Sequence, residues 1–204
     1  MSSKNSDEDV PVISPESSLL VGIQKVARND ATVRAARGMS HFGEHSLGWL
    51  AIAGAGVLLT RDDPDRRRPW IVAGVGAFGA HAASVVIKRI VRRPRPTDPR
   101  IVVSVSTPSK LSFPSSHATS TTAAAILIGE AAGLPKGLLP AAIVPPMLAS
   151  RLVLGVHYPT DVLAGAAIGA ASAVAVRTSD TLIRRVARRR RPATGVAVSS
   201  VGVK

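Results

Sequence analysis

Residues 70–91, WIVAGVGAFGAHAASVVIKRIV, form an apolar run of 22 residues with only three ionisable side chains. A spanning α-helix needs about 20 predominantly apolar residues. Gly74, Gly76 and Gly79 would weaken a helix in water, but small residues let helices approach each other closely in lipid. The run therefore predicts a membrane-spanning helix that carries the cation Lys88 near its end.

Four further apolar segments have a similar composition, and they cover residues 46–60, 117–134, 137–155 and 161–178. The first is short for a span unless His45 and its flanks are included, whereas the others are long enough. Pro145 and Pro146 are expected to kink the segment that contains them. Together with 70–91, these segments predict an all-α integral membrane bundle of five spanning helices.

The regions outside these segments are polar or basic. Residues 1–16 predict a disordered N-terminal tail, because they are polar and contain two prolines. Residues 17–40 predict an amphipathic helix at the membrane interface, although an ordinary soluble helix fits the same pattern. We therefore expect one membrane domain over residues 17–178. Residues 179–204 are expected to form a basic tail with affinity for anionic lipid.

The charge balance points to an anionic partner, because the 204 residues carry a net charge of +13. Aromatic residues make up only 3%, which leaves few surfaces for base stacking and argues against nucleic acid. Acidic lipids and phosphate esters remain. The absence of cysteine excludes structural disulfides and thiolate metal sites.

Three clusters of polar residues interrupt the apolar segments. They are Lys88 with Arg95-Pro96, the run Pro114 to His117, and Ser150-Arg151 with His157 and Asp161. If the spans alternate in direction, the clusters meet on one side of the membrane. Charged groups near a bilayer are costly, so a cluster at one face indicates function.

The residue types in these clusters suit the chemistry of a phosphate ester. Lys88, Arg95 and Arg151 are candidate phosphate-binding cations, because an ammonium or guanidinium group binds the non-bridging oxygens. His157 is a candidate nucleophile, since a neutral imidazole can attack phosphorus. Asp161 lies four residues later, where a carboxylate on the same helix face can fix the tautomer of His157.

The second cluster suits the leaving-group side of the same reaction. His117 follows Ser115 and Ser116 at a predicted helix start, where free backbone N–H groups favour an anion. Both serines are therefore candidate phosphate-binding residues. His117 is the candidate acid that protonates the departing oxygen.

The three clusters resemble the signature of the type 2 phosphatidic acid phosphatase (PAP2) superfamily. That signature reads Lys, six residues, Arg-Pro; then Pro-Ser-Gly-His; then Ser-Arg, five residues, His, three residues, Asp. All spacings fit, and the one departure is Ser116, which stands where the family usually has glycine. Glycine adopts positive φ more freely than serine, so the departure concerns the local turn. The resemblance implies a helical bundle, a phosphohistidine intermediate at His157, and no requirement for a metal or cofactor.

Within the superfamily, the chain is more narrowly similar to actinobacterial decaprenylphosphoryl-5-phosphoribose phosphatases. This resemblance implies a polyprenyl-phosphate lipid substrate and a role in the synthesis of cell-wall arabinan precursors. No residue by itself identifies a ribose or a decaprenyl chain, so a polyprenyl diphosphate or phosphatidate-type phosphatase stays open. A non-enzymatic basic membrane adaptor is the alternative from another class, but it leaves the three clusters unexplained.

Membrane orientation follows from the basic residues between the spans. The side opposite the clusters carries Arg61, residues 66–68, Lys136 and the basic tail. The positive-inside rule then predicts that this side is cytoplasmic. The protein is expected in the cell membrane, that is the inner membrane, with the site on its outer face. The N-terminal helix and residues 92–116 are basic too, so the charge count is nearly balanced. The sequence leaves homo-oligomerisation open.

Two more ionisable residues lie within the apolar segments. His81 precedes Lys88 by seven residues and therefore shares its helix face. A buried, hydrogen-bonded histidine and a residue that lines the lipid path both fit this position. Glu130 lies near the far end of 117–134 and is expected to face an interface or a basic partner.

Overall fold

A computed structural model of the protein describes residues 14–189, which form α-helices and the loops between them. The helices are α1 (Pro15–Ala27), α2 (Asp30–Gly43), α3 (Leu47–Leu59), α4 (Pro64–Val91), α5 (Ser116–Ala131), α6 (Leu138–Val153) and α7 (Pro159–Arg189). A 3-10 turn, Glu44–Ser46, joins α2 to α3. Over residues 14–189 no strand is present, which confirms the predicted all-α class.

Helix α5 forms the centre of the bundle and packs against α4, α6 and α7. Close approach depends on glycines in the neighbouring helices. A Cβ atom added at Gly76 would lie 2.1 Å from Leu127, and one at Gly169 would lie 2.3 Å from the Thr119 carbonyl oxygen. Small residues thus bring α7 close to the backbone of α5 and make room on α4 for the Leu127 side chain, as expected for helices that pack in lipid.

Among residues 14–189, three helical segments are long and apolar enough to cross a membrane: Asp30–Leu59, which runs through α2 and α3, then α4 and α7. Helix α6 is apolar but shorter. The 16 residues of α5 rise about 24 Å, less than the roughly 30 Å of a bilayer core. The protein is therefore a membrane bundle, and the count of five spans stays a prediction.

The amphipathic helix predicted over 17–40 is wrong in one respect, because the structure divides it into α1 and α2. Asn29 caps α2: its side chain accepts a hydrogen bond from the Thr32 amide, and the Thr32 hydroxyl accepts one from the Asn29 amide. This capping box starts a new helix within the stretch that the sequence analysis takes as a single helix.

Helix α1 is tied to the long loop over residues 92–115 and to α6. The Gln24 side-chain amide donates to the carbonyl oxygens of Val102 (2.9 Å) and Val153 (3.1 Å). Its carbonyl oxygen accepts from the Val102 amide at 2.9 Å. The loop itself is fastened to the end of α6 by the Ser104 amide, which donates to Leu154. One end of the bundle is thereby covered.

The predicted tails lie mostly outside residues 14–189. Residues 1–13 of the predicted N-terminal tail are not among the described residues, and α1 already begins at Pro15. At the other end, α7 continues to Arg189, so the first part of the predicted basic tail is helical. Residues 190–204 of that tail lie outside the described residues.

Candidate active site

A cavity of about 610 Å³ opens where α4 and α6 end and α5 and α7 begin. Six of the residues predicted from the sequence line it: Lys88, Arg95, Ser116, His117, Arg151 and His157. The structure therefore brings together side chains from all three sequence clusters. Loop 92–115 and the end of α2 complete the walls.

Lys88 is buried at the end of α4, with 7% of its surface exposed. Its ammonium group donates to the carbonyl oxygens of Leu111 (3.2 Å), Ser112 (3.1 Å) and Pro114 (3.0 Å). Carbonyl groups fix the position of the cation without cancelling its charge. The charge of Lys88 is thus available to an anion in the cavity.

Arg95 is held by backbone carbonyl groups in the same manner. Its guanidinium group donates to Ser109 (2.8 Å) and to Val156 (2.5 Å). One of its terminal nitrogens lies 3.4 Å from Nε2 of His157. Burial lowers the pKa of Arg95 to about 10, against the opposing effect of the Asp161 charge, so Arg95 remains protonated at neutral pH.

Arg151 is the third buried cation, and 2% of its surface is exposed. It donates to the Ser40 hydroxyl at 2.8 Å, and its Nε has no hydrogen-bond partner among the described residues. Ser40 also contacts His117, because Nε2 of the His117 ring lies 2.9 Å from the Ser40 carbonyl oxygen. This bond assigns the proton on Nε2 and orients the ring. Ser40 was not predicted from the sequence.

His157 lies in the loop before α7, with 2% of its surface exposed, and its two ring nitrogens have different surroundings. Nδ1 faces the Asp161 carboxylate at 3.5 Å, and Nε2 faces Arg95. Burial, followed by the charges of Arg95 and Arg151, lowers the pKa of His157 well below its usual value of 6.5. The imidazole is therefore neutral at pH 7.

Asp161 occupies the first turn of α7, which begins at Pro159 as expected. The carboxylate is fully buried and accepts a hydrogen bond from the Tyr158 amide at 2.8 Å. The predicted four-residue spacing therefore places Asp161 behind His157, on the side away from the cavity cations.

The two serines of the second cluster differ from each other. Ser115 is fully buried, its amide donates to the Asp161 carbonyl oxygen at 3.0 Å, and its hydroxyl caps α5. That amide is already bonded, so Ser115 does not offer the predicted donor to the cavity. Ser116 lines the cavity as the first residue of α5, and its hydroxyl lies 2.8 Å from that of Ser84. Its backbone is helical, so the usual glycine is not needed here.

Arg93 and Glu16 also join the site, and neither is among the catalytic or phosphate-binding residues predicted from the sequence. Arg93 donates to Oδ1 of Asp161 at 2.9 Å and to the Thr160 hydroxyl at 2.7 Å, and it forms an ion pair with Glu16. Its guanidinium group also lies 4.3 Å from the centre of the Tyr158 ring. Nothing in the sequence distinguishes Arg93 from its neighbour Arg92, and Glu16 falls within the predicted tail.

A sequence model of the PAP2 superfamily matches residues 69–184, which contain all three clusters. The chain belongs to the PAP2 superfamily. This match confirms the predicted class of enzyme, a membrane lipid phosphatase.

Two curated relatives share most of their length with this PAP2 protein. The decaprenylphosphoryl-5-phosphoribose phosphatase of Mycolicibacterium smegmatis is 58% identical over 151 residues, which are 74% of this chain and 81% of the relative. The protein of the same name from Mycobacterium tuberculosis is 56% identical over 156 residues, 76% of this chain and 85% of the relative. The narrower resemblance seen in the sequence is thus confirmed.

Two solved structures share the fold. A transmembrane PAP2 type phosphatidylglycerolphosphate phosphatase from Bacillus subtilis superposes with a TM-score of 0.66 at 24% identity, covering 85% of this chain and 90% of the other. LpxE from Aquifex aeolicus superposes with a TM-score of 0.57 at 19% identity, covering 83% and 98%. The shared fold and the apolar helices identify a multi-pass membrane protein.

Proposed function

We propose that this PAP2 protein removes the 5-phosphate of decaprenylphosphoryl-5-phosphoribose and releases decaprenylphosphoryl ribose for the synthesis of cell-wall arabinan precursors. The substrate is carried over from relatives that are 56–58% identical over most of their length. The observation that carries the chemistry is a cavity in which three buried cations face a neutral histidine.

Substrate binding begins with the terminal phosphate. Arg95 and Arg151 donate to its non-bridging oxygens, and Lys88, whose three N–H donors are taken by carbonyl oxygens, stabilises the anion by its charge. The charge supplied by the three side chains makes a bound metal unnecessary. Ser116 and His117 add backbone N–H groups at the N-terminus of α5, where the helix dipole favours an anion. The donors at this helix start come from these two residues, because the Ser115 amide is bonded to Asp161.

The first chemical step forms a bond between Nε2 of His157 and phosphorus while the bond from phosphorus to the 5-oxygen of the ribose breaks. His117, protonated on both ring nitrogens when the phosphate dianion is bound, donates its Nδ1 proton to the departing oxygen, while its Nε2–H stays bonded to the Ser40 carbonyl oxygen. Asp161 accepts the Nδ1 proton of His157 in a hydrogen bond and stabilises the positive charge that develops on the ring. The products of this step are the lipid alcohol and a phosphohistidine.

The second step is hydrolysis of the phosphohistidine. His117, now deprotonated, takes a proton from water as the water oxygen bonds to phosphorus. The phosphorus–nitrogen bond breaks, phosphate leaves, and neutral His157 and protonated His117 are restored. The three cations stabilise the charge on the transferring group in both steps.

Arg93 acts as a positioning residue for this mechanism. It holds one carboxylate oxygen of Asp161, and the other oxygen faces His157. Glu16 holds Arg93 in turn and also accepts a hydrogen bond from the Thr160 hydroxyl at 2.6 Å. Helix α1 thereby supports the carboxylate that orients the nucleophile.

The proposal includes an orientation in the cell membrane. Five spans place the cavity on the outer face, α1 lies at the interface, and the basic end of α7 with the residues beyond it contacts anionic lipid on the cytoplasmic side. Because the chain has no cysteine, single cysteines at Ser106 and Arg185 give a clean labelling assay. We expect Ser106→Cys to react with an impermeant thiol reagent in intact cells and Arg185→Cys to react only after lysis. The reverse pattern would refute this orientation.

The function is tested by phosphate release from a panel of lipids in detergent. The panel comprises the polyprenyl phosphoribose lipid, a polyprenyl diphosphate and phosphatidic acid. We expect the highest kcat/KM for the phosphoribose lipid, inhibition by vanadate without added metal, and no activity in His157→Ala. A preference for the diphosphate or for phosphatidic acid would overturn the proposed substrate, and full activity in His157→Ala would overturn the mechanism.

A further inference from the structure

The cavity extends beyond the three cations, and its volume of about 610 Å³ is more than a phosphate group fills. The additional wall contains Glu44 and His45 from the turn between α2 and α3, and His81 from α4. These three polar side chains have no place in the mechanism above.

The rings of His45 and His81 lie close together on this part of the cavity wall. Their ring centres are 5.8 Å apart and the ring planes are inclined by 51°. Nδ1 of His81 is buried and has no hydrogen-bond partner among the described residues. A neutral imidazole offers one donor and one acceptor, and a buried polar atom without a partner costs free energy. The pair is therefore suited to a ligand that both donates and accepts hydrogen bonds.

The turn that carries His45 has an unusual backbone. His45 and Ser46 have φ angles of 49° and 63°, so two consecutive residues that are not glycine adopt the left-handed conformation. Such conformations are unfavourable and cluster at ligand-binding sites, where the surrounding structure maintains them. In this chain the left-handed turn places Glu44 and His45 on the cavity wall.

The same turn adjoins the side of the site from which the leaving group departs. Gly43 precedes it, and a Cβ atom at Gly43 would lie only 2.8 Å from the His117 ring. His117 is the residue to which we assign protonation of the leaving oxygen. A group attached to that oxygen thus extends past His117 towards Glu44, His45 and His81.

From this arrangement we infer that Glu44, His45 and His81 form a hydroxyl-binding subsite for the sugar of the substrate. The inference rests on the proposed function, because the ribose 5-oxygen is the leaving group there. Sugar hydroxyls donate to a carboxylate or imidazole and accept from an imidazole N–H. A phosphate ester without such hydroxyls leaves the buried Nδ1 of His81 unpaired, and a site with an unpaired buried polar group discriminates against such a substrate. The subsite would select phosphorylated sugars over phosphatidate.

The test compares two substrates in three variants. His81→Leu removes one imidazole, and His45→Gly removes the other at a position where glycine keeps the left-handed backbone. Each kcat/KM is measured with the polyprenyl phosphoribose lipid and with phosphatidic acid, which has no free hydroxyl on its leaving group. Thr107→Ala, elsewhere on the cavity wall, is the matched control.

We expect each histidine variant to lose about 10- to 100-fold more kcat/KM with the phosphoribose lipid than with phosphatidic acid, as one or two lost hydrogen bonds predict. Thr107→Ala should leave the ratio of the two substrates unchanged. Vanadate inhibition of phosphatidate cleavage checks that each variant retains the phosphate site.

Equal losses with both substrates, in variants that keep vanadate inhibition, would overturn the subsite and leave the proposed function intact. If the wild-type protein cleaves phosphatidic acid but not the phosphoribose lipid, the proposed function itself fails, and the subsite fails with it. A variant that loses vanadate inhibition has a damaged phosphate site and is set aside. The substrate ratio of the other histidine variant then decides whether the subsite stands.

Discussion

The two ends of the helical bundle hold their cations in opposite ways. At the end away from the cavity, arginines pair with carboxylates: Arg68 with Asp180 at 2.7 Å, Arg177 with Glu130 at 2.6 Å, and Arg184 with Asp65 at 3.8 Å. At the cavity end, Lys88, Arg95 and Arg151 contact carbonyl and hydroxyl oxygens. None of these three forms an ion pair within residues 14–189. Carboxylates neutralise the first set, whereas the second set keeps its charge.

The difference separates structural cations from functional ones. The arginine pairs are partly exposed, and such pairs contribute little to stability. Buried cations without a carboxylate oppose folding, because each loses hydration that carbonyl groups only partly replace. We therefore expect this arrangement in the PAP2 protein to prepare the cavity for an anion.

Replacing one cation at each end of the bundle should give the largest difference in phosphatase activity between two variants. Arg151→Ala is expected to lower kcat/KM by about 10²- to 10³-fold, because it removes a donor that stabilises charge in the transition state. Arg177→Ala, the matched change at the far end, should stay within about twofold, as expected for an exposed pair. Phosphate release measures both. Comparable losses in the two variants would contradict the distinction between the ends.

Arg93 is a cation at the cavity end that does pair with carboxylates, those of Asp161 and Glu16. Arg93→Ala should lower kcat by about 10- to 100-fold with little change in KM, the usual size of an effect transmitted through a neighbouring ligand or catalytic group. Arg93→Lys should recover part of this loss, and Glu16→Gln should give a smaller one. A rise in KM without a fall in kcat would show that Arg93 binds substrate instead of positioning Asp161.

The pH dependence of kcat/KM should show the effect of the neighbouring cations on the pKa of His157. Because burial and the Arg95 charge lower the pKa of His157, the neutral nucleophile persists below pH 6.5. The acid limb of kcat/KM should therefore lie below pH 6.5. Arg95→Gln removes a positive charge, so the pKa of His157 should rise and the limb should move to higher pH.

Arg68→Gln at the far end is the control for this pH profile and should leave the limb in place. The substrate's own titration is common to all the variants when one lipid is used. A limb that moves to lower pH in Arg95→Gln would contradict the assignment of this limb to His157.

The smallest effect is expected for the far-end pair itself. A double-mutant cycle with Arg68→Ala and Asp180→Ala should give a coupling of about 0.2–1 kcal/mol in the free energy of unfolding, typical of a partly exposed ion pair. Thermal unfolding in detergent, followed by circular dichroism, measures it. Phosphatase activity should change little in either variant. A coupling of several kcal/mol would show that the far end is a buried network like the cavity end.

Spacing in the sequence predicts much of the site. The alternating apolar segments bring Lys88, His117 and Arg151 to one end, and the four-residue interval places Asp161 behind His157. These are consequences of helix geometry, which a sequence displays directly. The predicted contribution of Ser115 differs from the structure, because the Asp161 carbonyl takes its amide.

The contacts of the N-terminal helices were beyond sequence reasoning. Glu16 meets Arg93 across 77 positions in the chain, and Ser40 meets Arg151 across 111. Nothing periodic marks such pairs, since they depend on how a polar segment folds back over the bundle. The division between α1 and α2 was missed as well, because a local cap at Asn29 starts a new helix within the stretch predicted as a single helix.

The most direct test of the account is to trap the phosphorylated enzyme. A lipid substrate labelled in its terminal phosphate is mixed with the protein and quenched within milliseconds, and the labelled peptide is sequenced. We predict label on His157, stable in base and labile in acid as a phosphoramidate is, and none in His157→Ala. Label on another residue, or rapid turnover in His157→Ala, would contradict the assignment of His157 as the nucleophile.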